Sequence, residues 1–378
     1  MNEKQRVHAA LSGQAVDRYP VTVLYSQLYN RDHFAELTDE SQWHVWVWQC
    51  APPDRYLALY SRMVEKAPFE VLQPDVAPPR DVRENTTFIE QDGKHFRLNK
   101  KDGTLTELPA PVSGHAFDER ANETQYVFDK RDADEQVQVK RAEQIIASGA
   151  NDYLEAAVTR FGQEHFILSG GVVGVVYSCS WYVGLTNLYA LLIEKPALIE
   201  YLSHKILEQN VETIRQLAAA GGDAIYIDDA MTTCDMISVK HYERFSLPYM
   251  QEMVREIHRQ GQKAIVIYFG GIADRLEQIA SIGADGLQME TSMKGYINDI
   301  GETVRKIGDR VTVFGNLDPL GMLQNATDEK LEAEMKRQIA AGRQGRGFIS
   351  CTGSPITPAT PLARVLKFLE LGRKWGAV

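Results

Sequence analysis

ALIEYLSHKILEQNVETIRQLAAAGGDAIYIDD, residues 197–229, decides the fold in a single run. Its first part places apolar residues at helical spacing and stops at Gly221-Gly222, the usual glycine end of a helix. AIYIDD (224–229) then reads as a strand, apolar until it meets two acids. A near-continuous apolar run fits a strand buried on both faces, as in a parallel sheet covered by helices.

The same alternation extends outward in both directions. PYMQEMVREIHRQG leads to AIVIYFG (264–270), and DEKLEAEMKRQIAAG leads towards GFISCTG (347–353). HFILSG (165–170), DGLQME (285–290), VTVFGNLD (311–318), RYPVTVL (18–24) and FEVLQPD (69–75) complete a set of eight strand candidates. Eight parallel strands with right-handed helical crossovers close into an α/β (β/α)8 TIM barrel. An open doubly wound sheet would show a glycine-rich phosphate loop after its first strand, and neither GxGxxG nor GxxxxGK[ST] occurs. At 378 residues the chain has room for a single barrel domain, 1–378, with an elaboration. Residues 80–128 supply it: TTFIEQDGKHFRLNKKDGTLTEL carries two Asp-Gly turns between alternating runs, a β-hairpin or meander inserted after the second strand. It is expected to project from the catalytic rim.

The net charge of −10 argues against a nucleic-acid partner, which needs a basic footprint, although Arg343 and Arg346 could attract a small anion. No apolar run has the length of a membrane span, and the opening MNEKQRVHAAL lacks a signal-like apolar core, so a cytoplasmic location is expected. The four cysteines lie far apart with no CxxC pair, and Cys351 and Cys234 have no histidine nearby in sequence to activate them.

Reactive groups of such barrels sit where strands end and loops begin. Those positions hold Asp75, Asp228, Asp229, Tyr268, Glu290, Asn316, Asp318 and the stretch Ser350 to Ser354. A carboxylate there must face the mouth, pair with a cation or cap a helix, because a bare buried charge is costly. Asp318, before Pro319, also has the form of a helix cap. No histidine stands at a strand end, which disfavours a histidine-rich zinc site.

KQRVHAALSGQAVDRYPV (4–21), FGNLDP (314–319), TPATPLARVLKFLE (357–370) and GGDAIYIDDA (221–230) followed by ISVKHYERFSLPYMQEM together resemble the uroporphyrinogen decarboxylase superfamily, which includes corrinoid-dependent methyltransferases. The resemblance implies a barrel with a cleft at its strand C-termini, and Asp75 in LQPDVAPPR resembles the decarboxylase's catalytic Asp. Three features depart from the decarboxylase pattern. The arginine-rich MRQAGR clamp is absent after VTVLYSQLYN, Asp229 stands in place of a serine, and Gly353-Ser354-Pro355 replaces GHG. The methyltransferase zinc signature is missing too: Ile267, Tyr268, Phe269 and Gly270 occupy its HxCG positions and Ser354 its late cysteine.

The resemblance therefore implies methyl transfer from a small O- or N-methyl donor to a corrinoid (cobalamin) held by a separate carrier protein, since no DxHxxG motif is present. Asp75, Asp229, Tyr268 and Glu290 would be catalytic. Asp228, Asn316, Asp318 and Ser354 would bind substrate, with no metal assigned. A homodimer is compatible with this reading. The rival readings are a decarboxylase or lyase acting on an acidic molecule through Asp75, and a non-catalytic tetrapyrrole- or corrinoid-binding barrel.

Overall fold

The computed structural model describes residues 1–111, 126–293 and 295–378. Among them seven strands form one parallel sheet: β1 (Val71–Leu72), β5 (Phe166–Val173), β6 (Ala224–Asp229), β7 (Lys263–Tyr268), β8 (Gly286–Met289), β9 (Thr312–Phe314) and β10 (Phe348–Ile349), in that spatial order. The segment before Tyr25 takes the eighth position through a single parallel bridge, Val21 to Ser350, with Thr22 N–H on the Ser350 carbonyl at 2.9 Å. The sheet curls as the barrel reading requires, and all eight expected segments stand in the expected places. The seam between residues 18–24 and β1 carries no ladder among the described residues. Pro20 and Pro74 flank that seam without N–H groups, and Tyr25 leaves extended backbone at φ +51°.

The expected insertion is a second, antiparallel sheet of β2 (Thr86–Gln91), β3 (Lys94–Asn99) and β4 (Leu105–Glu107). Its first turn is the two-residue Asp92-Gly93, with φ +54° and +72°, the positive-φ pair that an Asp-Gly hairpin prefers. The meander leans on residues 42–49: the His95 ring stacks on Trp43 at 3.7 Å, and Gln42 Nε2 donates to the Pro111 carbonyl at 3.2 Å. Residues 112–125 of the expected 80–128 insertion lie outside the described residues.

Side chains alternate across the strands, with one register shift in β5 between Leu168 and Gly171. Phe166, Leu168, Ala224, Ile265, Ile267, Phe314, Ile349 and Cys351 fill the barrel interior. Their neighbours Ile225, Ile227, Val266, Leu287, Met289 and Phe348 face the helical shell. Helices Pro196–Ala219, Leu247–Arg259, Ile300–Ile307, Asp328–Gly342 and Leu362–Trp375 supply much of that shell. The floor is the helix Glu3–Leu11, whose Val7, Ala10 and Leu11 join the interior cluster. Thr312 Oγ1 donates to the Ala10 carbonyl at 2.7 Å, and a side chain at Gly347 would collide with that same carbonyl, only 2.2 Å from its Cβ. Arg346 and Arg343 are spent at this end on the backbone carbonyls of Leu11 and Ala377.

Asp223 holds the floor helix in place. It meets Lys4 Nζ at 2.8 Å and His8 Nε2 at 2.9 Å, while its other oxygen accepts Ile167 N–H at 2.8 Å. Burial opposes its charge, but these partners prevail and hold its pKa below the ordinary carboxylate value. A depressed carboxylate stabilises the fold above its unfolded pKa and loses that effect as pH falls through the folded one. Asp223→Asn is therefore expected to cost about 1–3 kcal/mol at neutral pH. Urea titrations should show the gap from the native protein closing in acid.

Candidate active site

The alternation that fills the core also sorts the strand-end residues. Asp228 follows Ala224 and Tyr226 on the inner face of β6, so it faces the mouth. Asp229 is on the outer face and fully buried. It accepts from Met231 N–H (3.0 Å), Thr232 N–H (3.1 Å), Thr232 Oγ1 (2.5 Å) and Ser246 Oγ (3.3 Å), so it organises its own loop rather than a substrate. Tyr268 is displaced from the mouth by the same parity: it lies in the shell with its hydroxyl on Tyr242 at 2.7 Å. Phe269, one residue on, turns inward.

Asp228 Oδ2 accepts the Tyr25 hydroxyl at 2.6 Å, and its buried Oδ1 has no hydrogen-bond partner. Burial raises its pKa to about 7, helped by the charge of Asp229 and opposed by the Tyr25 bond. Tyr25 follows the first strand and Asp228 the fourth, so the Tyr25 side chain reaches across the mouth. Its ring lies 5.4 Å from that of Tyr226 and 6.0 Å from that of Phe269.

Asp75 brings a second inward group. Its N–H donates to Tyr56 Oη at 2.8 Å, Oδ1 accepts Arg31 Nη2, and Oδ2 is buried without a hydrogen bond. Arg31 Nε is likewise buried and unbonded. Burial works against the Arg31 charge, yet the Asp75 carboxylate keeps its pKa above the ordinary value. Glu290 centres a third group: it accepts from the Tyr296 hydroxyl and from Ser354 Oγ at 3.4 Å.

Asn316 and Asp318, both expected to bind substrate, are each held by hydrogen bonds within the protein. Asn316 Nδ2 donates to the carbonyls of Asn298 (2.8 Å) and Glu290 (3.2 Å), tying the β8 and β9 ends together. Asp318 caps the turn at Pro319–Gln324, accepting Leu320 and Gly321 N–H, both at 2.9 Å. The Cys351 thiol is buried in the barrel, pushed far above its ordinary pKa by desolvation, and accepts from Gln288 at 3.0 Å. Among the described residues no three His, Cys, Asp or Glu side chains are grouped so as to hold a metal ion. The residues at the family's zinc positions do not fit that ion.

Arg31 and Tyr25 were not among the expected site residues. Tyr25 occupies a strand end like the others, so the same positional rule reaches it once RYPVTVL is read one residue further. Arg31 lies on the helix Ser26–Asp32, and nothing in its spacing marks it.

A sequence profile described as uroporphyrinogen decarboxylase (URO-D) matches residues 118–375, more than half of the chain. The chain belongs to the uroporphyrinogen decarboxylase family. Uroporphyrinogen decarboxylase of Coxiella burnetii is 30% identical over 186 residues, 48% of this chain and 48% of the relative. That of Pseudomonas putida is 33% identical over 174 residues, 45% and 46% of the two chains. The chain thus aligns with about half the length of these curated relatives. A methyltransferase from Methanosarcina mazei shares the fold, with a TM-score of 0.72, 19% identity and coverage of 99% of both chains. The likeness to the M. mazei protein is one of fold. No helix among the described residues is long and apolar enough to cross a membrane.

The two neighbouring aspartates should separate in stability measurements. Asp229→Ala leaves loop donors unsatisfied and is expected to cost about 1–3 kcal/mol. Asp228, with its pKa moved from 3.8 to about 7, stabilises the fold below its unfolded value and ceases to do so as pH rises through 7. Asp228→Asn should flatten that part of the stability–pH curve and be no less stable than the native chain in mild alkali, as read by chemical denaturation.

Proposed function

We propose that this family member transfers a methyl group from a small O- or N-methylated donor to an acceptor on a corrinoid protein. One observation carries the reading: among the described residues the inward-facing ends hold three carboxylates, Asp75, Asp228 and Glu290, and a single guanidinium, Arg31, already paired with Asp75. A polycarboxylate such as uroporphyrinogen, named in the sequence relatives, needs cations to offset its charges, and a mouth of this sign repels it. A small neutral or cationic donor meets no such penalty. The methyltransferase name of the M. mazei structure is in keeping with this choice.

In the reaction the bond between the methyl carbon and its oxygen or nitrogen breaks, and the bonding pair stays on that heteroatom. A corrinoid protein, when docked, supplies the nucleophile that takes the methyl carbon. Asp228 changes protonation near neutrality, so it can give a proton to a departing oxygen or, ionised, balance a charged nitrogen. In the ligand-free protein Tyr25 holds that carboxyl, and Glu290 with Tyr296 and Ser354 lines the adjoining wall.

The test is incubation with a reduced corrinoid protein and a panel of methyl ethers and methylamines, following methylated corrinoid by absorbance. At least one donor should react, and Asp228→Asn should slow it by roughly 10²-fold or more. Failure of every donor counts against the reading. The Arg31–Asp75 pair favours a second reading, decarboxylation of a small mono-acid held by Arg31. Cofactor-free CO2 release, lost in Asp75→Asn, would select it.

A further inference from the structure

The mouth also bears on the charge of its ligand. Asp228 and Glu290 make no ion pair among the described residues, and one oxygen of Asp228 and one of Asp75 are buried without hydrogen bonds. Asp75 is only 9% exposed. Beside Asp228 stand Tyr25, Tyr226 and Phe269, with Tyr25 and Tyr226 edge to face at 63°. Aromatic faces attract cations through their quadrupole, and several rings around a carboxylate suit an alkylated ammonium better than a hard, strongly hydrated cation. A neutral ligand would leave the charge of these acids unbalanced, an anion would add to it, and a cation would complete it.

We propose that the mouth binds a methylated ammonium ion, its head group seated on Tyr25, Tyr226 and Phe269 with Asp228 as counter-ion. The methyl-transfer reading supplies only the fate of the bound ion; the binding stands on the charge and ring geometry. The head group displaces the Tyr25 hydroxyl, which now occupies Asp228 Oδ2 at 2.6 Å. The Tyr25 hydroxyl therefore swings off Asp228 on binding, while its ring stays as one wall of the site. Asp228 must be ionised to pair with the ion. The titratable groups around it are Tyr25 from the first strand end, Tyr177 from the helix Val175–Val183, and Tyr226 and Asp229 from its own strand. The three tyrosines stay neutral, since burial raises each of them. Asp229 also has its pKa raised by burial, and when ionised it favours the protonated form of Asp228.

Calorimetric titration of the whole protein with choline and with 3,3-dimethylbutan-1-ol, its uncharged isostere, tests this directly. Choline should bind roughly tenfold or more tightly than the alcohol. Its affinity should rise from about pH 6 to about pH 8 as Asp228 ionises. Tyr25→Phe, which keeps the ring and removes the competing hydroxyl, should bind choline several-fold tighter, whereas Asp228→Asn should lose the preference for charge. Equal binding of the two isosteres, or binding of neither by the native protein, overturns the proposal. Choline binding without methyl transfer from any N-methyl donor keeps this inference and removes the methyl-transfer reading. Methyl transfer from an ether with no preference for charge does the reverse.

Discussion

Every assignment in the mouth depends on one constraint: in a parallel strand buried on both faces, successive side chains must point to opposite sides. On β6 this gives Asp228 to the mouth and Asp229 to the shell. On β7 it buries Tyr268 against Tyr242 and turns Phe269 inward. The backbone leaves no intermediate choice, since a shift of one residue would move every core side chain of the strand into the wrong layer. The chemistry of the site is therefore fixed by residues far from it, such as Ile265 and Ile267, which hold the register from inside the barrel.

The constraint also accounts for what was legible in the sequence. The eight strand positions, the Asp-Gly meander and the mouth at the strand ends follow from apolar runs, glycine stops and turn chemistry, all of them local signals. Continuous apolar strands hide their own parity, because both faces are hydrophobic. Asp229 and Tyr268 were thus placed at the right height on the barrel and on the wrong side of the sheet. Asn316 and Asp318 sit in a motif that resembles a family signature, and within it one ties two loops while the other caps a turn. Arg31 was not legible, because its partner Asp75 is brought to it by barrel closure rather than by spacing.

The interior charge is distributed unevenly along the barrel axis. At the floor, Asp223 and Glu70 have cations at hand: Lys4 for the first, with the His8 ring hydrogen-bonded beside it, and Arg18, Arg6 and Arg373 for the second. At the mouth, Asp228 and Glu290 have hydroxyl donors instead. The same residue type thus sits among cations at one end and, among the described residues, beside hydroxyls at the other. Paired acids hold elements together, and acids left with only hydroxyls can still change protonation or accept a charge from outside.

The floor helix carries a consequence for the order of assembly. Glu3–Leu11 is synthesised before its own seat, which is built from Phe166, Asp223, Thr312 and Gly347. That helix is therefore among the last elements to dock, waiting through some three hundred residues of synthesis for its binding site to exist. Contacts of such long sequence separation are slow to form, because loop closure must come before any gain from packing. Until then the apolar face of the helix and the open lower end of the sheet remain exposed, and the growing chain has to be kept from associating with its neighbours.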